Sequence, residues 1–292
     1  EFERKCMAMG ISVKDIKLVD GKRREILVTA KTFMKGCVSE RVLRETVSSV
    51  FKAKFFSNQD NRVIINEEPD QYVFYQENRF RILSGMARKC KEEENTSGDN
   101  FLLKKLNCGK MVAAIADGCG SGKRAFAESR MVIELGFEEK TAIDLINSAY
   151  IAGTTFNNPV TMDMSIIDCQ AGVINCIKLG AVSTFIKRDN WVEIIKSTTL
   201  PMGVLEQVDY DCTTKKLYDG NYIIMISDGV LDNLSGINKE EQMVEIINNI
   251  NVKKPAGIAK KILEESLKNN NMEAFDDCTV MVLGVFDTYV NV

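Results

Sequence analysis

The residues best placed to do chemistry are four aspartates that border strongly apolar segments. Two of them follow an apolar segment directly and are themselves followed by glycine, one precedes such a segment, and one lies in an upstream Gly-Asp-Asn turn. A strand fixes the position of its terminal residue, so a fold that aligns these strand ends would bring the four carboxylates together. The four aspartates are Asp99, Asp117, Asp228 and Asp276.

Carboxylates gathered in this way repel one another strongly unless cations neutralise them. Ligand sets made only of oxygen select hard ions, Mg²⁺ or Mn²⁺, over zinc or copper. The glycines after Asp117 allow the backbone to pass close to such ions, and the carbonyl of Gly118 is then available as a further ligand. The sequence therefore predicts a magnesium or manganese centre.

Each of these signals is weak when taken alone. Asp-Gly is a turn dipeptide, and Asp20-Gly21 and Asp219-Gly220 are expected to be turns and nothing more. The segment 117–123 also resembles a phosphate-binding loop, which would favour a kinase or an ATPase. That interpretation fails because Asp117 occupies the place of the first glycine and Arg124 the place of the Ser or Thr.

The composition narrows the chemistry further. The chain has 292 residues and no histidine, which excludes Ser-His-Asp and Cys-His catalysis and histidine-ligated zinc. The nine cysteines are odd in number and scattered, which favours a reducing cytoplasm over a disulfide framework. With a formal net charge of -3 and no long basic stretch, nucleic acid is not an expected partner.

The sequence also bears on membrane attachment. No apolar run approaches the roughly 20 residues that cross a bilayer, so we expect no membrane segment in this chain. It begins with Glu1 rather than methionine, from which we expect upstream sequence that could tether the protein to a membrane.

Hydrophobic periodicity predicts the elements that must position the aspartates. Residues 1–70 read as a small α/β unit with a hairpin around Asp20-Gly21 and a helix whose N-cap is Ser39. Helices are expected at 123–135, 139–152, 239–250 and 255–267. Strands are expected at 72–75, 79–86, 110–116, 162–167, 173–179, 183–187, 222–227 and 280–286.

Strand-rich blocks with paired helices, and without regular βαβ alternation, predict an α+β fold of sheets packed face to face with helices outside. The turn-rich segment 67–70 is the expected boundary between two parts of the chain. The predicted domains are therefore 1–70, a small α/β segment, and 71–292.

The order of the motifs resembles that of the metal-dependent (type 2C, PPM) protein phosphatases. The residues that carry the resemblance are Ser-Gly-Asp-Asn at 97–100, Asp-Gly-Cys-Gly-Ser-Gly-Lys-Arg-Ala at 117–125, Ser-Asp-Gly-Val-Leu-Asp at 227–232 and Asp-Asp-Cys-Thr at 276–279. Within these phosphatases the sequence is most similar to the stage II sporulation protein E phosphatases of spore-forming bacteria. The resemblance covers roughly residues 71–292.

This resemblance implies a four-layer αββα sandwich, preceded by a regulatory segment, and hydrolysis of phosphoserine on a protein. It implies two Mn²⁺ or Mg²⁺ ions that activate a water, held by Asp99, Asp117, Gly118, Asp228 and Asp276, with Asp117, Asp228 and Asp276 as the catalytic residues. The implied substrate is a small phosphorylated anti-anti-sigma factor, whose dephosphorylation activates a sporulation sigma factor. The sequence is also compatible with a homodimer.

Two points stay open at the level of sequence. A catalytically silent phosphatase-like module used for docking is the alternative function, although the intact aspartates argue against it. Successive side chains of an extended segment point to opposite faces, so Asp276 and Asp277 are not expected to reach the same ions. The resemblance favours Asp276 as the ligand and Asp277 as a neighbour that tolerates asparagine.

Overall fold

The computed structural model describes residues 1–20, 24–33, 36–91, 97–106, 109–118, 159–205 and 209–288. The chain forms two compact units, Glu1–Asn78 and Arg79–Val292. Each is described by itself below.

The described elements are five α-helices, one short 3-10 helix (Lys268–Asn270) and sixteen strands. The helices are α1 (Phe2–Ala8), α2 (Glu40–Phe51), α3 (Asp228–Asp232), α4 (Lys239–Asn249) and α5 (Pro255–Leu267). The strands of the first unit are β1 (Ile11–Asp20), β2 (Arg24–Thr32), β3 (Val38–Ser39), β4 (Phe55–Ser57), β5 (Ile64–Ile65) and β6 (Asp70–Gln76). Those of the second unit are β7 (Phe80–Lys89), β8 (Asp99–Lys105), β9 (Lys110–Gly118), β10 (Val160–Asp168), β11 (Val173–Leu179), β12 (Thr184–Lys187), β13 (Val192–Ile195), β14 (Asp211–Lys216), β15 (Tyr222–Ile226) and β16 (Cys278–Asp287).

The first unit is an antiparallel sheet in the order β1-β2-β6-β4, packed against helices α1 and α2. The predicted hairpin is present, because β1 and β2 pair up to Asp20 and Arg24. The predicted N-cap of α2 is confirmed: the Ser39 hydroxyl accepts a hydrogen bond from the Arg41 backbone N–H. Leu43 and Val47 on the inner stripe of α2 are fully buried in the core of this unit.

The boundary between the units lies after Asn78, eight residues beyond the expected position. Strand β6, whose residues 72–75 were expected in the second part, is an inner strand of the first sheet and pairs with both β2 and β4. Tyr72 and Phe74 of this strand are fully buried in the first core. The turn residues at 67–70 therefore lead into a strand of the same sheet and do not separate two domains.

The second unit contains two five-stranded antiparallel sheets, in the orders β14-β11-β10-β9-β8 and β13-β12-β15-β16-β7. Their inner faces share one apolar core. Met111, Ala113 and Ile115 of β9 enter this core together with Ile223 and Met225 of β15. The residues between them point to the outer faces, as the two-residue period of a strand requires.

Helices cover the outer face of the sheet that contains β15. Apolar residues of α3, α4 and α5 form a core with the outward-facing residues of β15 and β16. The predicted starts of two of these helices are confirmed, because the Asn238 side chain caps α4 and Pro255 occupies the first turn of α5. The α+β class is confirmed, and the described residues of the second unit form one helical layer and two sheets. The helices predicted at 123–135 and 139–152 lie outside these residues.

The described part of the chain holds no helix with the length and apolar character needed to span a bilayer.

A buried ion pair joins two neighbouring strands of the sheet β14-β11-β10-β9-β8. Asp163 of β10 and Lys178 of β11 are cross-strand partners, each 1% exposed, with 2.7 Å between Lys178 Nζ and Asp163 Oδ2. The Thr184 hydroxyl accepts a hydrogen bond of 2.8 Å from Lys178 Nζ and donates one to Asp163 Oδ2. Breaking such a pair leaves one buried charge uncompensated.

Replacing Lys178 with methionine is expected to lower the free energy of unfolding by about 3–5 kcal/mol, because Asp163 would stay buried without its cation. The double change Asp163→Asn with Lys178→Met should recover at least half of the loss, since no charge is then left buried. Urea denaturation of the parent, the two single variants and the double variant measures this coupling. Simply additive losses would show that the pair does not act as a unit.

Candidate metal centre

Asp99 and Asp117 come from neighbouring strands and lie directly opposite each other. Asp99 is the first residue of β8, Asp117 is the penultimate residue of β9, and the two are partners in the antiparallel register. Asp99 was expected in a loop before the strand, but it already belongs to the ladder. The pairing of β8 with β9 is thus what brings these two carboxylates together.

Asp228 and Asp276 come from the other sheet. Strand β15 ends at Ile226, and Asp228 is the first residue of the short helix α3. Asp276 lies two residues before β16, the strand that pairs with β15. At Gly229 a Cβ would lie 2.2 Å from the carbonyl oxygen of Asp277, so only glycine allows the two segments to approach this closely. This Asp-Gly pair therefore serves a close approach and is more than a turn.

The four aspartates act on one another electrostatically at the place where the two sheets meet. Burial raises the pKa of the Asp117 carboxyl most, and the charges of Asp99, Asp228 and Asp276 raise that pKa further, together with a hydrogen bond to Asp228. The pKa of Asp276 is raised by burial first and also by the charge of Asp228. All four carboxylates predicted from the sequence therefore converge.

Asp99 is the most deeply buried of the four, with no exposed surface. Burial raises its pKa, the charge of Asp277 adds to the rise, and the nearby hydroxyls of Thr279 and Ser227 and the charge of Arg88 oppose it. Neither of its carboxylate oxygens has a hydrogen-bond partner of normal geometry, and the same holds for Oδ1 of Asp228. Buried oxygens without a partner are costly, and a bound divalent cation would satisfy them.

The residues present fit divalent cations of the hard type. The cluster offers carboxylate oxygen, contains no histidine, and has more negative charge than its described neighbours compensate. Among the described residues no three acidic or thiol groups already stand as a formed coordination shell. Gly118 ends β9 beside Asp117. Its carbonyl remains a predicted ligand.

A small cavity opens between the cluster and the buried Asp163. It has a volume of about 30 Å³, enough for a single water, and it is lined by residues of both sheets. Oδ1 of Asp163 is buried there without a hydrogen-bond partner. The lining residues include Asp117, Thr161, Asp163, Gly180 and Asp228.

The structure gives Asp277, which the sequence suggested to be a tolerant neighbour of Asp276, contacts of its own. Asp277 is 3% exposed, and its two carboxylate oxygens accept hydrogen bonds from the backbone N–H groups of Lys91 (2.9 Å) and Gly98 (2.6 Å). Sequence reasoning missed this role, because it depends on contacts with residues that lie 186 and 179 positions earlier in the chain. The alternation of side chains along an extended segment predicted only that the Asp277 side chain points away from that of Asp276.

Arg88 is a second residue that the sequence did not single out. Its Nη2 donates a hydrogen bond of 2.7 Å to the carbonyl oxygen of Asp99, and its Nε donates one of 3.2 Å to the Thr279 hydroxyl. The positive charges of Arg88 and Lys91 lower the pKa values of Asp99 and Asp276, respectively. These two cations stand beside a cluster that is otherwise acidic.

Comparison with known proteins gives a consistent family assignment. The family profile described as Stage II sporulation protein E (SpoIIE) matches residues 107–286. The stage II sporulation protein E of Priestia megaterium is 34% identical over 211 residues, which is 70% of this chain and 36% of that protein. That of Bacillus subtilis (strain 168) is 29% identical over 258 residues, which is 85% of this chain and 31% of that protein.

A solved structure extends the similarity over nearly the whole chain. It contains the PP2C phosphatase domain and a fragment of the regulatory domain of the cell fate determinant SpoIIE from Bacillus subtilis. It is 26% identical, with a TM-score of 0.76, and the match covers 98% of this chain and 87% of that chain. The chain spans about a third of the length of the full-length relatives. On the family profile and these identities, the chain belongs to the stage II sporulation protein E family and carries a phosphatase domain of the PP2C type.

Proposed function

We propose that this chain is a metal-dependent protein serine/threonine phosphatase that hydrolyses phosphoserine. The observation that carries the proposal is the convergence of Asp99, Asp117, Asp228 and Asp276 from four separate segments at the edge where the two sheets meet. Asp99 is fully buried there, and the other three are partly buried. Like charges and burial both disfavour ionised carboxylates, so a cluster of this kind lowers the stability of the fold. Its presence despite that cost indicates a functional site. Membership of the SpoIIE family supports the same function.

The proposed ligands are Asp99, Asp117, Asp228 and Asp276, with the carbonyl of Gly118, and the proposed cofactors are two Mn²⁺ or Mg²⁺ ions. When bound, such ions neutralise the cluster, activate water and stabilise the charge that develops on a phosphoryl group. Asp117 is the central member of this set, because the charges of the other three carboxylates all raise its pKa.

The chain's own residues prepare the site for a phosphorylated side chain. Ser227 and Thr279 place hydroxyls next to Asp99, and Ser227 Oγ accepts a hydrogen bond of 2.8 Å from the Thr279 backbone N–H. These bonds fix β15 against β16 at the site. Arg88 and Lys91 lie at the side of the cluster, and their charges attract a phosphate dianion that four carboxylates alone would repel.

We also propose a specific class of substrate and the regulatory step that its dephosphorylation controls. The substrate is a small phosphorylated regulatory protein of the anti-anti-sigma class, and its dephosphorylation leads to activation of a sporulation sigma factor. The support is the family resemblance and the description of the B. subtilis relative as a cell fate determinant. The scattered cysteines favour a cytoplasmic location, where such a substrate would be met.

Hydrolysis of p-nitrophenyl phosphate by the purified chain, with and without Mn²⁺, tests the activity. A serine-phosphorylated anti-anti-sigma factor, compared with an unrelated phosphoserine protein of similar size, tests the substrate. Manganese-dependent release of phosphate from the first protein and little from the second is the expected result. Binding of the phosphoprotein without any hydrolysis would instead support the alternative function, a catalytically silent docking module.

The unit Glu1–Asn78 is proposed to regulate the phosphatase domain. It has its own sheet and its own core, and the B. subtilis structure that matches 98% of this chain includes a fragment of a regulatory domain. A unit with a separate core can be removed without opening the core of its neighbour.

Deletion of residues 1–78 is expected to leave basal manganese-dependent hydrolysis within about threefold of the parent, because the four aspartates and both sheets around them lie in the second unit. The response to activation, or the oligomeric state, should change. Turnover of p-nitrophenyl phosphate and the mass in solution by light scattering measure the two effects, including whether the parent is a homodimer. An insoluble product would assign the unit to the catalytic core.

A further inference from the structure

We propose that Asp277 is a positioning residue that holds Asp99 in the carboxylate cluster by binding the backbone at Lys91 and at Gly98. The inference rests on the proposed function, because it assigns Asp277 to the metal centre described above. Asp277 itself has no place among the proposed ligands.

The geometry around Asp277 is that of a two-sided anchor. Its Oδ1 accepts a hydrogen bond of 2.9 Å from the N–H of Lys91, and its Oδ2 accepts one of 2.6 Å from the N–H of Gly98. The residue is 3% exposed, so both bonds lie away from bulk water. Hydrogen bonds to a carboxylate are about twice as strong as bonds between neutral groups, and burial limits competition from solvent.

The two bonds tie together the edges of both sheets. Lys91 lies two residues after the end of β7, the edge strand of the sheet β13-β12-β15-β16-β7. Gly98 immediately precedes β8, the edge strand of the other sheet. One carboxylate thus connects the two sheets at the end of the sandwich where the aspartates converge.

Asp277 is itself held rigidly enough to act as an anchor. The Ser227 hydroxyl donates a hydrogen bond of 3.2 Å to the carbonyl oxygen of Asp277, and the N–H of Thr279 donates to the Ser227 hydroxyl at 2.8 Å. The same carbonyl oxygen lies against Gly229, with no room for a Cβ. The segment before β16 is therefore fixed to the segment that carries Asp228.

The position of the Asp99 side chain depends on how its backbone is held. Its carboxylate oxygens have no hydrogen-bond partner of normal geometry that could orient the side chain. Besides the pairing of β8 with β9, three hydrogen bonds hold the main chain here: the Gly98 N–H donates to Asp277, the Asp99 N–H donates to the Ser97 hydroxyl at 3.2 Å, and Arg88 donates to the Asp99 carbonyl. A displacement at Gly98 is therefore transmitted directly to Asp99, the next residue.

The chemistry at this position requires a carboxylate. Two N–H donors approach the side chain, and only an ionised carboxylate offers an acceptor to each of them. Asparagine keeps one acceptor oxygen but turns an NH₂ group toward the second donor. Asp277→Asn is therefore expected to release one of the two backbone segments, and Asp277→Ala to release both.

The test measures Mn²⁺ binding by calorimetry, turnover as a function of Mn²⁺ concentration, and hydrogen exchange of the Lys91 and Gly98 amides by NMR. Asp277→Ala is expected to weaken Mn²⁺ binding and raise the half-maximal Mn²⁺ concentration by roughly 10- to 100-fold, with a smaller loss at saturation. Exchange of both amides should accelerate. Asp277→Asn should give an intermediate loss and faster exchange at one of the two amides.

Asp168→Asn is the matched control. Asp168 also accepts two backbone hydrogen bonds, from Gln170 and Ala171, but in the hairpin between β10 and β11. This variant should leave Mn²⁺ binding unchanged. In an Asp99→Asn background, adding Asp277→Ala should weaken Mn²⁺ binding by less than about threefold, because the side chain that Asp277 positions no longer ligates.

Equal losses from Asp277→Ala in the presence and absence of Asp99 would overturn the proposal, since Asp277 would then act independently of Asp99. Unchanged Mn²⁺ binding, or unchanged exchange at both amides, in a folded Asp277→Ala protein would overturn it as well. If Asp277→Ala does not fold, Asp277→Asn decides between these outcomes. Binding and exchange do not depend on turnover, so a parent protein without phosphatase activity would refute the proposed function and still test the anchor.

Discussion

Asp117→Asn is expected to reduce manganese-dependent turnover by at least roughly 10³-fold while making the metal-free protein more stable. The loss follows from the central place of Asp117 among the proposed ligands, since several kcal/mol of transition-state stabilisation depend on the ions and each 1.4 kcal/mol is about tenfold in rate. The gain follows because desolvation, and then the charges of three other carboxylates, raise the pKa of Asp117 and so disfavour its ionised form in the folded protein.

The gain in stability from Asp117→Asn is expected to depend on pH. The pKa of Asp117 in the folded protein lies above the value of about 4 in the unfolded chain, so the folded state binds the proton more tightly above that pH. The contribution of Asp117 to the free energy of unfolding of the metal-free parent therefore falls as pH rises above about 4. Asparagine has no proton to lose, so the stability advantage of the variant should grow from pH 5 to pH 8 in the presence of EDTA.

Asp211→Asn provides a control in which replacing an aspartate is expected to lower the stability of the protein. Asp211 lies at the start of β14, an edge strand of the same sheet, and a backbone hydrogen bond from Thr198 is the main cause that lowers its pKa. Its replacement should destabilise the protein slightly at pH 7 and leave turnover unchanged. Urea denaturation at the two pH values and a turnover assay decide the matter. A less stable Asp117→Asn protein would make Asp117 a structural residue.

Removal of divalent ions is expected to abolish turnover in the parent and to lower its thermal midpoint. Excess EDTA should bring hydrolysis of p-nitrophenyl phosphate to background, and added Mn²⁺ should restore it, because the buried oxygens of Asp99 and Asp228 then regain partners. A ligand that binds only the folded state stabilises it by RT ln(1 + [L]/Kd), about 2.7 kcal/mol at 100 times Kd.

The Asp117→Asn protein separates this effect from nonspecific binding of Mn²⁺. Its thermal midpoint should respond to Mn²⁺ far less than that of the parent, since a central ligand is missing. Calorimetric scans of both proteins, with Mn²⁺ and with EDTA, measure the difference. Turnover that persists in excess chelator would rule out the metal-dependent mechanism, and equal responses of the two proteins would place the ions elsewhere.

The sequence by itself determined the ligand candidates and the strands that carry them. Apolar segments predicted seven of the ten strands of the two large sheets, because apolar runs and alternation report strand burial. Strands β8, β13 and β14 were not predicted. The missing histidine left carboxylates as the metal-binding groups. The cap at Ser39 was also readable from sequence, since it depends on a contact within two residues.

Only the tertiary structure decided how distant segments meet. Strand β6 follows a turn-rich segment, yet its pairing with β2 and β4 places it in the first unit. Asp99 became part of a strand through its partner Asp117, and Asp277 became an anchor through Lys91 and Gly98. Sequence patterns report local burial and turn chemistry, whereas these roles arise from register and from hydrogen bonds between residues far apart in the chain.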